Sequence, residues 1–230
     1  MSDAPPEAMT AAHFADLTGA NIEHIQALEV LRGRLAEWNA RMNLVGPSTL
    51  PQFWSRHAWD SAQLLQLEPE ALTWVDIGAG AGFPGLVLAI LLKGRSDAHV
   101  HLIESLGKRC RFLEAMVAEL ALPATVHNAR AEQTALEVDI VTARAVAPLG
   151  RLLGYAEPSL NLGGCALFLK SADVAGEIDD ARKTWGFDAS ILTSRSDSRG
   201  RILRIERLVR GAKSEGYARS GDRQSKGRRR

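Results

Sequence analysis

The chain has 230 residues, 46% hydrophobic and 24% charged, with a formal net charge of +1. That size and composition support one α/β domain with a short extra segment and a sizeable core, and exclude a wholly disordered chain. Two distant cysteines, Cys110 and Cys165, an acidic, proline-bearing start and a longest apolar run of only residues 86–92 argue against a disulfide framework, a cysteine metal site, a secretory leader and a membrane span, and point to a cytoplasmic protein.

Taken in chain order, residues 1–20 are read as a flexible N-terminus. Residues 21–43 form an amphipathic helix, with Ile25, Leu28, Leu31, Leu35 and Trp38 at three- and four-residue steps and Asn21 as N-cap. The run Asn43-Leu44-Val45-Gly46-Pro47 ends it. A second helix is expected over 50–67, with Phe53, Trp54, Ala58, Ser61, Ala62 and Leu65 inward, so that 21–68 is a helical segment ahead of the main domain, 69–209.

From residue 69 short β-rich runs alternate with helices. Strands are expected at 73–77, 99–103, 125–129, 139–143 and 165–169. Helices are expected from about Pro84, over 106–120 with Ser105 as N-cap, over 149–159, and over 175–185. A turn at 162–164 precedes the fifth strand, and strands 188–193 and 201–208 close the domain as a hairpin around the polar loop 195–200. This alternation implies a mostly parallel sheet covered on both faces. Trp38, Trp54, Trp59 and Trp74 read as core or interface aromatics rather than base-stacking platforms. The stretch 210–230 holds eight basic and two acidic residues, a net +6 that leaves the rest of the chain at −5. It is read as a disordered basic tail, either solubilising or in contact with a polyanion.

The segment Val75-Asp76-Ile77-Gly78-Ala79-Gly80-Ala81-Gly82-Phe83-Pro84-Gly85 runs from a buried strand through a glycine-rich turn into a helix. Such a turn lets the backbone approach a ligand closely and aims free N–H groups at it. Gly80, Gly82 and Gly85 fit the dinucleotide fingerprint. Asp76, Gly78, Gly80 and Gly82 fit the Asp-x-Gly-x-Gly-x-Gly pattern of S-adenosylmethionine-binding methyltransferases better, because Gly78 comes directly off the strand. Glu104, at the end of the second strand, can accept from both ribose hydroxyls of either cofactor class.

Several segments together resemble one family. Asn43-Leu44, Arg56-His57-x-x-Asp60-Ser61, the glycine loop with Gly-Phe-Pro-Gly, Ser105-Leu106-Gly107-Lys108-Arg109-Cys110-Arg111-Phe112-Leu113 and Ala143-Arg144-Ala145 occur in this order. They are similar to the RsmG (GidB) family of bacterial ribosomal RNA methyltransferases over about residues 25–208. The resemblance implies the Rossmann-like, seven-stranded class I methyltransferase fold with a helical N-terminal segment. It also implies methylation of N7 of one guanine in 16S small-subunit ribosomal RNA, with S-adenosylmethionine as donor and no metal. By the same resemblance Gly78 and Phe83 match cofactor contacts, Ala131 and Glu132 the segment beside the adenine, and Arg144 the family's arginine after the fourth strand. Ala143 and Val146 stand where the family often shows Ser and Phe.

Guanine N7 carries a lone pair and no proton, so the reaction needs alignment and electrostatics rather than a general base. Arg144 is the candidate catalytic residue, able to hold guanine O6 or a phosphate, or to order the cofactor pocket. Arg56, His57 and Asp60 share a helical face and either touch RNA or brace the glycine loop. Lys108, Arg109 and Arg111 open a helix where positive charge opposes the helix dipole, which suggests phosphate contact, and Lys170 is a further candidate of that kind. The chain is expected to act as a monomer.

Overall fold

The computed structural model describes residues 9–160 and 164–211. Part of the expected turn at 162–164 and nearly all of the basic tail lie outside the described residues.

Seven strands form one sheet: β1 Thr73–Ile77, β2 His99–Glu104, β3 Ala124–Asn128, β4 Ile140–Arg144, β5 Cys165–Lys170, β6 Trp185–Thr193 and β7 Arg201–Arg210. The spatial order is β3-β2-β1-β4-β5-β7-β6. Strands β1 to β5 pair in parallel, and β7 inserts antiparallel between β5 and β6. After β1 the chain winds outward through β2 and β3, then returns to the other side of β1 as β4. The strand order therefore reverses between β1 and β4, the position where open α/β sheets bind ligands.

The helices are α1 Ala11–Thr18, α2 Ile22–Met42, α3 Asp60–Leu67, α4 Gly85–Leu92, α5 Gly107–Glu119, α6 Leu149–Leu160 and α7 Val174–Ala181. One face of the sheet carries α4, whose eight residues are all buried. It is an apolar core helix because α2 and α3 cover its outer side, and the core cluster runs unbroken from Leu28 and Leu35 through Leu86 and Ile90 to Leu102. The other face carries α6 and α7 over Val141, Phe168 and Leu203. Among the described residues no helix is long and apolar enough to cross a membrane.

Four sequence expectations change. Residues 11–18 are helical rather than flexible: Thr10 caps the His13 N–H at 3.2 Å, Gly19 closes the helix in the left-handed region, and Phe14 is buried against Trp54 with ring centroids 5.3 Å apart. The helix expected over 50–67 is three pieces: a 3-10 stretch Pro47–Gln52, a π-helical stretch Phe53–Trp59, and α3. Pro51 lies four residues after Pro47, and its ring would strike that carbonyl in a regular α-helix. The inward residues expected there are nonetheless all buried.

The N-cap position of α5 falls on Leu106 instead of Ser105, because the Glu104 carboxylate accepts the Leu106 N–H at 2.8 Å. Helix α7 ends at Ala181, and Trp185 opens β6, where its indole N–H reaches the Gly150 carbonyl at 3.0 Å. Ile178, Ala181 and Trp185 are buried at a helical spacing, so the periodicity alone ran the helix four residues too far.

The buried Phe14 makes α1 part of the core. Phe14→Ala should cost about 3 kcal/mol, read from the urea midpoint at constant slope. A loss under about 1 kcal/mol would mean that the helix is not integral to the fold.

Candidate active site

Two cavities flank the turn after β4, where Ala145 takes a positive φ of 55°. Val146 and Ala147 line the smaller, of about 200 Å³, together with Gly78, Glu104, Ala131 and Glu132. Arg144 and Ala145 line the larger, of about 810 Å³, together with Arg56, His57, Asp60 and Lys170.

The smaller cavity is built by the glycine loop. Gly78 sits at φ 69°, and a Cβ there would lie 2.8 Å from a methyl of Val146, so the loop and the β4 turn approach closely only because this residue is glycine. Gly80 sends its N–H to Glu104 Oε2 at 3.1 Å. Glu104 is 5% exposed and is the acidic group at this cavity's β2 side, with Arg109 3.7 Å from its Oε2. Asp76 lies beneath the loop, fully buried. Its Oδ2 accepts the Gly85 N–H at 2.9 Å, and a Cβ on Gly85 would crowd the same oxygen. Its Oδ1 has no partner. Burial pushes the carboxyl up to about 7. Asp76 therefore shapes the loop from inside and does not line either cavity. Gly82, at φ 86°, keeps the turn clear of Leu86. The residues present suit a ligand with vicinal hydroxyls: a carboxylate beside a loop with room for close approach, as adenosine requires.

Phe83 is 4% exposed and turns away from the smaller cavity. The His57 ring stacks on it, 4.5 Å between centroids at 17°, and the Arg144 guanidinium stands 5.2 Å over it. Arg144, the last residue of β4, is fixed from three sides. One guanidinium nitrogen donates to the Arg56 carbonyl at 2.9 Å and lies 3.4 Å from Asp60 Oδ2, and the other reaches His57 Nδ1 at 3.2 Å. That last bond requires Nδ1 to accept. The proton is thus assigned to Nε2, which faces Thr49 Oγ1 at 3.1 Å, and Thr49 in turn donates to the Gly46 carbonyl at 2.8 Å. Burial, reinforced by the charges of Arg144 and Arg56, pushes His57 down to about 3. His57 thus stands behind Arg144, as a neutral acceptor rather than a surface group.

The basic candidates divide. Arg56 is half-exposed and 3.7 Å from Asp197. Lys108 and Arg111 project into solvent, while Arg109 leans on Glu104. Lys170 is largely buried, with its ammonium 2.6 Å from Glu177 and 3.2 Å from the Ala147 carbonyl. The sequence reading missed Arg130, Arg151 and Tyr155 at the smaller cavity and Arg199 and Arg201 at the larger. No motif singles these out; only the fold brings them there.

His57 and Asp76 oppose each other in the pH dependence of stability. His57 has a folded pKa below the unfolded value near 6.5, so it destabilises the fold as pH falls from 6.5 toward 3. Asp76 has a folded pKa above its ordinary 3.8, so its contribution is lost as pH rises toward 7. His57→Gln removes the first effect alone. On going from pH 6.5 to 5, the variant should gain about 1.5 kcal/mol relative to the parent, measured by urea unfolding. Parallel pH slopes would show that His57 takes up a proton without unfolding.

The comparisons with known proteins bear on the family and the fold. Residues 24–201 match the family described as rRNA small subunit methyltransferase G (GidB). The ribosomal RNA small subunit methyltransferase G of Caulobacter vibrioides (strain NA1000 / CB15N) is 56% identical over 207 residues, covering 90% of this chain and 96% of that protein. The protein of the same name from Caulobacter sp. (strain K31) is 55% identical over 195 residues, covering 85% and 88%. Among solved structures, an O-methyltransferase from Bacillus cereus in complex with SAH superposes with a TM-score of 0.56 at 16% identity, covering 86% of this chain and 96% of that one, a likeness of fold. A match over most of the chain, with close relatives along nearly their whole length, places it: the chain belongs to the rRNA small subunit methyltransferase G (GidB) family.

Proposed function

We propose that the chain transfers a methyl group from S-adenosylmethionine to N7 of one guanine of 16S ribosomal RNA. The observation that carries this reading is the placement of Arg144. It is held rigidly at the seam between a glycine-loop cavity suited to adenosine and a larger cavity rimmed by Arg56, Arg199 and Arg201. The family's printed description, a methyltransferase of small-subunit rRNA, gives the substrate class.

S-adenosylmethionine supplies a methyl carbon activated by its sulfonium, so that the S–CH3 bond breaks as CH3–N7 forms, leaving a thioether and a cationic N7-methylguanine. The chain's own residues bind and align. Gly78, Ala131 and Glu132, which line the smaller cavity, would hold the donor's adenosine end, and Glu104, steadied by the Gly80 N–H, would accept from the ribose hydroxyls. Arg144 holds the purine at O6 or its phosphate from the acceptor side. Asp60 behind it keeps the pair close to neutral, so the purine can take up charge without facing an uncompensated guanidinium. His57 is unsuited to act as a base, with its Nδ1 lone pair committed to Arg144. An acceptor atom without a proton needs none.

RNA contact is assigned to Arg56 at the larger cavity and to Lys108 and Arg109 at the start of α5, outside both cavities. His57 is committed to Arg144 and Lys170 to Glu177, so neither is assigned a direct RNA contact. The chain is read as acting as a monomer.

Labelled donor offered with small-subunit RNA lacking the modification, both naked and as whole subunits, should give N7-methylguanosine at one position by nucleoside mass spectrometry. A product methylated at another atom, or no product from donor-competent protein, would refute the reading. Arg144→Ala should lose roughly a hundredfold or more in turnover while still unfolding in one cooperative transition; near-parental turnover would remove Arg144 from the site. Gly78→Val, which drives a branched side chain onto Val146, should abolish the thermal stabilisation by S-adenosylhomocysteine. A parental shift would place the donor elsewhere.

A further inference from the structure

The loop joining β6 to β7 carries polar side chains that the reading above leaves without a task. Gln63, on α3, is 2% exposed beneath that loop. Its amide nitrogen donates to Ser194 Oγ at 3.1 Å and to Asp60 at its carbonyl, 3.0 Å, and Oδ1, 3.2 Å. Its amide oxygen accepts the Arg195 N–H at 2.9 Å. Trp59 adds an indole N–H to the Arg195 carbonyl at 3.2 Å, and the Arg195 guanidinium lies 4.9 Å over the Trp59 ring. The loop is thus tied to the N-terminal helices by side chains on both partners.

Ser196 reaches the same Asp60 oxygen as Gln63, and at shorter range. Its hydroxyl donates to Asp60 Oδ1 at 2.6 Å, a short charge-assisted bond. Asp60 Oδ2 is the oxygen that faces Arg144 at 3.4 Å. Oδ1 is thus held by Ser196 and Gln63, and Oδ2 is left to the guanidinium. A carboxylate turns easily about its terminal torsion. Fixing one oxygen fixes the other, and with it the direction from which Arg144 is held. Ser194, 2.9 Å from Ser196 Oγ, completes the chain of hydroxyls back to Gln63. The loop itself remains anchored through Gln63, Trp59 and Arg195 without Ser196.

We propose that Ser196, backed by Gln63, is a positioning residue for methyl transfer: it pins Asp60 Oδ1 so that Oδ2 holds Arg144 in register with the acceptor cavity. The inference rests on the reading of Arg144 as the acceptor-side residue. It makes the β6–β7 hairpin part of the reaction machinery rather than a rim alone. It also predicts an effect on rate and not on donor affinity, because none of these groups borders the smaller cavity.

The test is a mutant cycle on the single-turnover rate at saturating RNA and donor. Ser196→Ala is made in the parental chain and again in Arg144→Lys, which keeps charge but loses the planar fork. Ser196→Ala should slow the parental enzyme roughly tenfold, change the slow Arg144→Lys enzyme less than about twofold, and leave the Kd for S-adenosylhomocysteine unaltered. Ser196→Thr, which keeps the hydroxyl, should restore most of the rate. Equal slowing in both backgrounds would overturn the proposal, since a merely structural effect does not depend on the guanidinium. So would a parental rate for Ser196→Ala alongside a slow Arg144→Lys, and in that case the reading of Arg144 stands. A fast Arg144→Lys and an equally fast Arg144→Ala would instead sink that reading, and this inference with it.

Discussion

A guanidinium that never loses its charge, set 22% exposed at the seam between sheet and helices, imposes the strictest demand on this molecule. Desolvating it is costly unless acceptors meet it on every side. The protein meets the demand with a backbone carbonyl, a carboxylate, an imidazole lone pair and an aromatic face, contributed by Arg56, Asp60, His57 and Phe83. Each then constrains something further. His57 must stay neutral with its proton on Nε2, which fixes Thr49 and the chain at Gly46. Phe83 must stay beneath the His57 ring and the guanidinium, which fixes the glycine loop. The π-helical stretch Phe53–Trp59 delivers Arg56 and His57 to the same guanidinium, and wide turns of that kind recur at functional sites.

The second constraint is close approach. The loop after β1 passes so near the turn after β4 that Gly78 admits no side chain, and so near Asp76 and Leu102 that Gly85 admits none either. These contacts make the two cavities neighbours across one short turn. A group held in the smaller and a group held in the larger would face each other past Ala145, as an in-line transfer needs.

Much of this was legible in the residues because it depends on local rules. The strand-turn-glycine pattern placed the ligand loop, Asn21 placed the start of α2, and the alternation of short apolar runs with helical periodicity placed the strands of β1 to β5 within a residue or two. What escaped depends on tertiary partners. Phe14 went unread within the stretch 1–20, because its partner Trp54 lies forty residues further on. Trp185 kept helical spacing although it begins a strand. Asp76 and Phe83 carry the family pattern, yet one is sealed under the loop and the other turned toward His57, because the pattern records that a residue is needed and not which way it points. Lys170 reads as a free cation in sequence, and only the fold shows Glu177 beside it. Arg199 stood in a polar loop and Arg201 at the head of an expected strand, neither with a pattern of its own.

Strand β7 lies inside the sheet, flanked by β5 and β6. The hairpin that contains it touches the helical segment more than a hundred residues earlier in the chain, through Ser196 and Asp60. A chain leaving the ribosome from its N-terminus can therefore lay down the glycine loop and β1 to β4 while the acceptor side is still unfinished. Both the interior strand and the second anchor of Asp60 arrive only after β6 has been made. A chain that stops within β6 would lack both the interior strand and Ser196, leaving β5 as an open edge and Asp60 Oδ1 held by Gln63 alone.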